Sequence, residues 1–285
     1  MANYQIITDS GSDLPVEMIA SSNLKHVPLS VLFRGQTRDD QVDDSIKDLY
    51  DGLRAGEVAK TSAVNPDRWA GVMEPVLAGG QDVLVLAFSS GLSTTYQSAV
   101  IAAEELKEKY PDRKICVVDT RAASLGEGLL VWYACRKREE GMSIDGLKAW
   151  VEENKLNICH WVTVDDLSHL KRGGRISATT AIVGTMLNIK PIIFVDNDGH
   201  LINTAKVRGR KAAMDYLMKK FDETATDREV AFIAHGDCPE DAAQLENLVK
   251  EKYGVKNVIT GYVGPVIGAH TGPGVLVLFF MGTHR

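Results

Sequence analysis

Through the first half of the chain, short apolar runs alternate with segments of helical period, and this alternation limits the fold more than any other feature. Tyr4 to Thr8, Val27 to Phe33, Val83 to Phe88 and Ile115 to Asp119 have the length and apolar character of buried strands. Thr94 to Tyr110 and Ser124 to Arg138 follow two of those runs and place apolar residues at helical spacing. Parallel strands need a crossover connection, commonly a helix, so this succession predicts βα units and a parallel sheet. Ligands of such sheets bind outside the carboxyl ends of the strands, where loops lead into helix N-termini. That rule singles out Thr8-Asp9-Ser10, Ser89-Ser90-Gly91-Leu92-Ser93 and Asp119-Thr120.

From about Lys155 the rhythm changes. Strand-like His160 to Val164, Pro191 to Val195 and Leu201 to Val207 flank Asp196-Asn197-Asp198-Gly199, whose Asp-Gly pair is a hairpin signal. Antiparallel pairing, expected to be absent from the first half, therefore enters here. The remaining pattern predicts a helix over 209–221, a strand over 230–235, a helix over 240–253 and strands over 257–262 and 275–281. The expected fold is α/β in two domains, residues 1–154 with a mainly parallel sheet and residues 155–285 with a mixed one.

Composition narrows the function classes. With 285 residues the chain can bury a sizeable core, and 45% hydrophobic with 25% charged residues is ordinary for a globular protein. A formal net charge of -6 supplies no basic field for nucleic acid, so no nucleic-acid partner is expected. Cys116, Cys135, Cys159 and Cys238 are widely separated, without C-x-x-C spacing, and the histidines show neither H-x-x-x-H nor H-E-x-x-H, so no metal is expected. No leader pattern precedes Tyr4 and no run approaches the roughly 20 apolar residues of a membrane span; the expectation is a cytoplasmic protein without stable membrane insertion.

Several segments bear chemistry. The loop Ser89 to Tyr96 joins a buried strand to a helix, so its N–H groups and hydroxyls converge on the positive helix end, a setting that suits an anion. The same hydroxyls, Ser93 and Thr94, are also ordinary helix caps. Gly91-Leu92-Ser93-Thr94-Thr95 lacks the second glycine of G-x-S-x-G, which weakens a hydrolase reading of Ser93. Thr61 and Ser62 are adjacent hydroxyls in a turn-prone context before Pro66. Lys171-Arg172-Gly173-Gly174-Arg175 sets three cations around a glycine pair before Ser177 to Ile189, an uncharged stretch expected to be a covered helix. Gly264 to Gly274 reads as a glycine- and proline-punctuated loop around His270. No Walker A loop or complete G-x-G-x-x-G occurs, so nucleotide binding and cofactors are not expected.

Taken together and in order, Thr8-Asp9-Ser10 with Asp13-Leu14-Pro15, Thr61-Ser62, Ser89-Ser90-Gly91-Leu92-Ser93, Val118-Asp119-Thr120, Lys171 to Ile176 and His270-Thr271-Gly272-Pro273-Gly274 resemble the DegV family, which includes the FakB fatty-acid-binding proteins. The resemblance implies a ligand slot between two α/β domains holding one long-chain fatty acid. It implies that Thr61, Ser93 and His270 contact the carboxylate, and Ser62, Thr94 and Thr271 are candidates beside them. The three cations could neutralise an acid headgroup, face a partner or form a solvated loop, and Arg172 is the candidate for a headgroup- or partner-facing role. The resemblance further implies a carrier without catalysis of its own, whose lipid is phosphorylated by a FakA-like fatty acid kinase using ATP. Ala63-Val64 and Thr94 depart from the family's frequent Gln-Pro and glycine, which bears on chain preference and kinase pairing. The competing expectations are a serine-dependent lipid ester hydrolase using Ser93 and a non-binding structural or regulatory module.

Overall fold

The computed structural model of the chain describes residues 3–43, 45–165, 167–177 and 188–285. The covered helix expected over Ser177 to Ile189 lies, for residues 178–187, outside the described residues. The first half supplies β1 (Tyr4–Asp9), β2 (Lys25–Val27), β3 (Ser30–Phe33), β4 (Gln36–Asp39), β5 (Lys60–Ser62), β6 (Asp82–Ala87) and β7 (Ile115–Asp119). The second supplies β8 (Ile158–Thr163), β9 (Ile189–Val195), β10 (Leu201–Arg208), β11 (Val230–His235), β12 (Asn257–Tyr262) and β13 (Leu276–Met281).

Strands β2-β1-β6-β7, in that order, form the predicted parallel sheet. The chain leaves β1 for β2 on one side and returns to β6 on the other, which puts a topological switch point at the carboxyl ends of β1 and β6. Asp9 bridges it: one carboxylate oxygen accepts the Gly11 N–H at 2.9 Å and the other the Phe88 N–H at 2.8 Å.

The expected single strand Val27 to Phe33 is in fact two. Pro28, with no N–H to give a ladder, separates β2 from β3, and β3 joins a three-stranded antiparallel sheet ordered β4-β3-β5. Antiparallel pairing is thus present in the first half, contrary to expectation. Its hairpin turns on Arg34 and Gly35, both at positive φ, a two-residue connection whose twist suits the strands.

The second half forms a mixed sheet ordered β10-β9-β8-β13-β11-β12, in which only β11 and β12 pair in parallel. The predicted hairpin joins β9 to β10 with Gly199 at φ 81.

One helix ties the two large sheets. Leu125–Glu139 is buried without interruption from Leu125 to Val131, packs on β8, β11 and β13, and shares a core with Ile6, Leu84 and Leu86 of the parallel sheet. Each fully buried leucine in it contributes roughly 2 kcal/mol, more than a cap supplies. Its N-cap residue Ser124 makes no side-chain cap; the hydroxyl is donated to Asp13 Oδ2 at 2.5 Å instead.

Candidate functional site

A cavity of about 480 Å³ lies between the two halves of the chain, within the range of small-molecule sites. The first half contributes Leu29, Thr61, Phe88, Leu92 and Ser93, and the second contributes Val162, Ile193, Val266, Ile267, His270 and Val277. Among the described residues, no aspartate or glutamate lines it.

Thr61 sits in β5, opposite Val31 of β3, so the antiparallel sheet missed by sequence reasoning is what aims this hydroxyl. Its Oγ1 lies 2.8 Å from His270 Nε2. The expected loop over 264–274 contains a helix, Pro265–Thr271, begun by Pro265 at N1 and ended by Gly272 at φ 79, and His270 occupies its last turn. Gly173 backs the imidazole so closely that a Cβ there would stand 2.1 Å from His270 Nδ1. Burial, and secondarily the charge of Arg175, lower the His270 pKa from 6.5 to about 4, so the ring is neutral at neutral pH.

Ser93 ends the loop after β6. Its Oγ accepts the Thr95 N–H at 3.2 Å and lies 2.8 Å from Thr95 Oγ1, which itself accepts the Val64 N–H at 3.4 Å. Thr95, fully buried and absent from the sequence expectation, therefore links Ser93 to the β5 segment. Thr94 takes the N-cap position without a side-chain cap, is exposed and lines the cavity, as does exposed Ser62. Thr271 lines it too, with its hydroxyl donated to the Ile267 carbonyl at 3.1 Å.

Of the three cations near the glycine pair, Arg175 rather than Arg172 lines the cavity. Arg172 ends the short helix Ser168–Arg172 and is exposed. Gly174, at φ 69, turns the chain back, and Arg175 Nε donates to the Leu92 carbonyl at 3.1 Å while Nη1 donates to the Gly173 carbonyl at 2.5 Å. Arg172, expected to face the headgroup or a partner, is thus absent from the cavity lining, and Arg175 is present in it. The signal available in sequence was the glycine pair itself, which reverses the chain between the two arginines.

Beneath the His270 helix lies a contrasting group of buried carboxyls. Asp40 accepts the Val266 N–H at 2.9 Å and the Ser10 hydroxyl at 2.7 Å. Asp13 accepts from Ser124, and Glu127 Oε1 accepts the Thr8 hydroxyl at 2.9 Å. Burial raises the pKa of Asp9 to about 7 and of Asp40 to about 6, and lifts Asp13 and Glu127 well above the carboxylate range. Among the described residues no cluster of histidine, cysteine or carboxylate groups suited to a metal is present, and no helix is long and apolar enough to cross a membrane.

Two α/β halves closing on an apolar slot with uncharged hydrogen-bonding groups and one guanidinium define an enclosed small-molecule binding fold. The chain belongs to the DegV family: the model described as uncharacterised protein, DegV family, matches residues 3–283. A DegV domain-containing protein of Clostridium perfringens is 46% identical over 99% of this chain and 98% of its own. Among solved structures, a DegV family protein from Thermus thermophilus, described by its fatty acid binding, superposes with a TM-score of 0.88 at 33% identity, covering 97% of this chain and 98% of that one. DegV from Bacillus subtilis, described as a fatty acid binding protein, superposes with a TM-score of 0.84 at 28% identity over 98% of this chain and 99% of that one.

Proposed function

We propose that this chain encloses one long-chain fatty acid in the slot, its carboxylate toward Thr61, Ser93 and His270 and its alkyl chain along the apolar walls. The observation that carries the reading is the lining: apolar walls with no carboxylate among the described residues, and hydroxyls, a neutral imidazole and the Arg175 guanidinium gathered from both halves. A buried carboxylate needs several donors, which these groups supply. Each buried methylene adds roughly 0.8 kcal/mol, so the tail dominates affinity and the polar groups set orientation. Solved relatives described as fatty acid binding support the same ligand class. Ser62, Thr94 and Thr271 border the carboxylate, and residues 1–154 and 155–285 act as the two domains that close on it.

In this reading the protein is a cytoplasmic carrier that presents its lipid to a FakA-like fatty acid kinase, which forms the acyl phosphate. The ester-hydrolase reading is the weaker one, because Ser93 Oγ pairs with Thr95 and His270 Nε2 with Thr61, so nucleophile and base do not hydrogen-bond each other. Mass spectrometry of the purified protein under native and then denaturing conditions, with solvent extraction, tests the carrier. One fatty acid per chain is expected; an empty protein that also refuses added oleate and palmitate sinks the proposal. Acyl phosphate formation from the loaded protein with a fatty acid kinase and ATP tests the partner separately.

A further inference from the structure

His160 is fully buried yet lines the slot, and the headgroup role proposed above leaves it unused. Its Nδ1 lies 2.9 Å from the Ile158 carbonyl, and its Nε2 accepts the Ala123 N–H at 3.3 Å. These contacts require the Nδ1–H tautomer and engage both nitrogens with backbone, so the ring presents carbon to the cavity. The ring is also held rigidly. A Cβ on Gly126 would stand 2.1 Å from its Nε2, and Phe279 meets it edge to face with centroids 5.3 Å apart.

Strand register gives the direction. Leu276 pairs with Thr163, Val277 with Val162 and Phe279 with His160. The segments carrying His270 and Arg175 adjoin these strands at the Thr163 and Leu276 end, one before β13 and one after β8. From there the slot-lining side chains recede through Val275, Val277 and Val162 to Phe279 and His160. The last pair stands two residues, about 7 Å, beyond Val162 and Val277.

We infer that His160 and Phe279 form the far wall of the slot and set the longest acyl chain it accepts. The inference rests on the fatty-acid reading and extends it to chain length. A wall pinned by two backbone hydrogen bonds and an aromatic contact cannot retreat without leaving the Ala123 N–H and the Ile158 carbonyl unpaired, so excess chain meets it as overpacking.

The test offers saturated acids in two-carbon steps to the wild type, with bound acid read by native mass spectrometry. An affinity drop of about tenfold across one step is expected, since overpacking costs enough for a decade in binding. In parallel, the acids co-purifying with His160→Ala and with Phe279→Leu are profiled, after melting curves identify folded protein. Mean acyl length should rise on the order of two carbons, because truncation leaves a cavity that relaxation only partly fills. A wild type that takes up all lengths without a break overturns the wall, as does a folded variant with an unchanged profile. A wild type that binds none of them overturns the fatty-acid reading and this inference together.

Discussion

The slot's polar end and the carboxyl group beneath it use the same chemistry in opposite senses. Both are built from hydroxyls and from backbone N–H groups near helix starts. In the lower region the donors are already taken: Asp40 holds the Val266 N–H and Ser10, Asp9 holds Gly11 and Phe88, and Glu127 holds Thr8. In the upper region Thr61 pairs with His270 and Ser93 with its near neighbour Thr95, and among the described residues no carboxylate lines the slot. An internal acid completes one region, and the other is left for an acid from outside. The two share an element, since the helix whose first turn Asp40 anchors carries His270 at its end.

The largest expected effect comes from breaking that shared anchor. Asp40→Ala leaves a buried Val266 N–H and the Ser10 hydroxyl without their acceptor, a loss of about 3 kcal/mol of stability. It should also lower lipid occupancy by loosening the His270 helix. Chemical denaturation of lipid-free protein reads the first effect, and extracted lipid per chain reads the second. A variant as stable and as loaded as wild type would mean that the carboxyl group does not support the slot.

Titration separates the regions by sign. His270 has a folded pKa of about 4 against 6.5 unfolded, so between these values the unfolded chain binds more protons. That contribution to stability is full above about pH 6.5 and is lost as pH falls toward 4. Asp9 and Asp40 behave oppositely: with folded values raised to about 7 and about 6, they hold protons that the unfolded chain releases, so they subtract stability as pH rises from about 4 toward 7. Melting lipid-free His270→Gln and Asp9→Asn across this range should therefore change the stability profile in opposite directions. His270→Gln should remove an acid-side loss on the order of 2 kcal/mol, and Asp9→Asn should flatten the fall on approach to neutrality. Shifts of the same sign in both variants would refute the contrast.

Sequence patterning carried the large elements because burial repeats along them: β1 is buried at every position, and β11 and β12 fall where the apolar runs predict. It failed where a few residues decide. Pro28 diverts β3 from one sheet to another, and the sheet it joins has strands of only three and four residues, too short for any period to register. The helix carrying His270 is hidden by its own punctuation, since Pro265 and Gly272, read as loop residues, are its start and stop. Hydroxyls and the imidazole were legible as polar residues in loop-like segments. The burial of Thr95 and of His160 depends on contacts between distant segments, which no local pattern encodes, whereas the placing of Arg175 rather than Arg172 at the slot had a local signal in the Gly173-Gly174 turn that the reading did not use.

A smaller effect tests the open region directly. Thr61→Val and Ser93→Ala each remove one hydroxyl from the slot, and a lost hydrogen bond to a charged group costs about 1.5–3 kcal/mol of binding. Fatty acid affinity should fall roughly tenfold or more, while the lipid-free protein loses little stability because few of its own groups depend on these hydroxyls. Equal losses in stability and affinity would make the hydroxyls structural caps, erasing the distinction from the carboxyl region. The double variant is expected to fall short of additivity, since Val64 and Thr95 connect the two segments.

The smallest expected effect concerns two arginines three residues apart. Arg175 is half-buried, lines the slot and donates to the Leu92 carbonyl, so Arg175→Ala removes both a nearby positive charge and a tie between the two halves. Retention of fatty acid should fall several-fold, and the His270 pKa should rise toward 6.5, because the Arg175 charge is one of the two causes that lower it. Arg172 stands exposed outside the slot, where a surface charge acts weakly through solvent. Arg172→Ala should leave lipid retention within about 0.5 kcal/mol of wild type and act, if at all, on acyl phosphate formation once kinase is added. Salt sharpens the comparison: the kinase-dependent effect should fade as ionic strength rises, while the effect of half-buried Arg175 on retention should fade less. Reversal of the two, with Arg172 governing retention and Arg175 silent, would place the slot's cation on the wrong side of the Gly173-Gly174 turn.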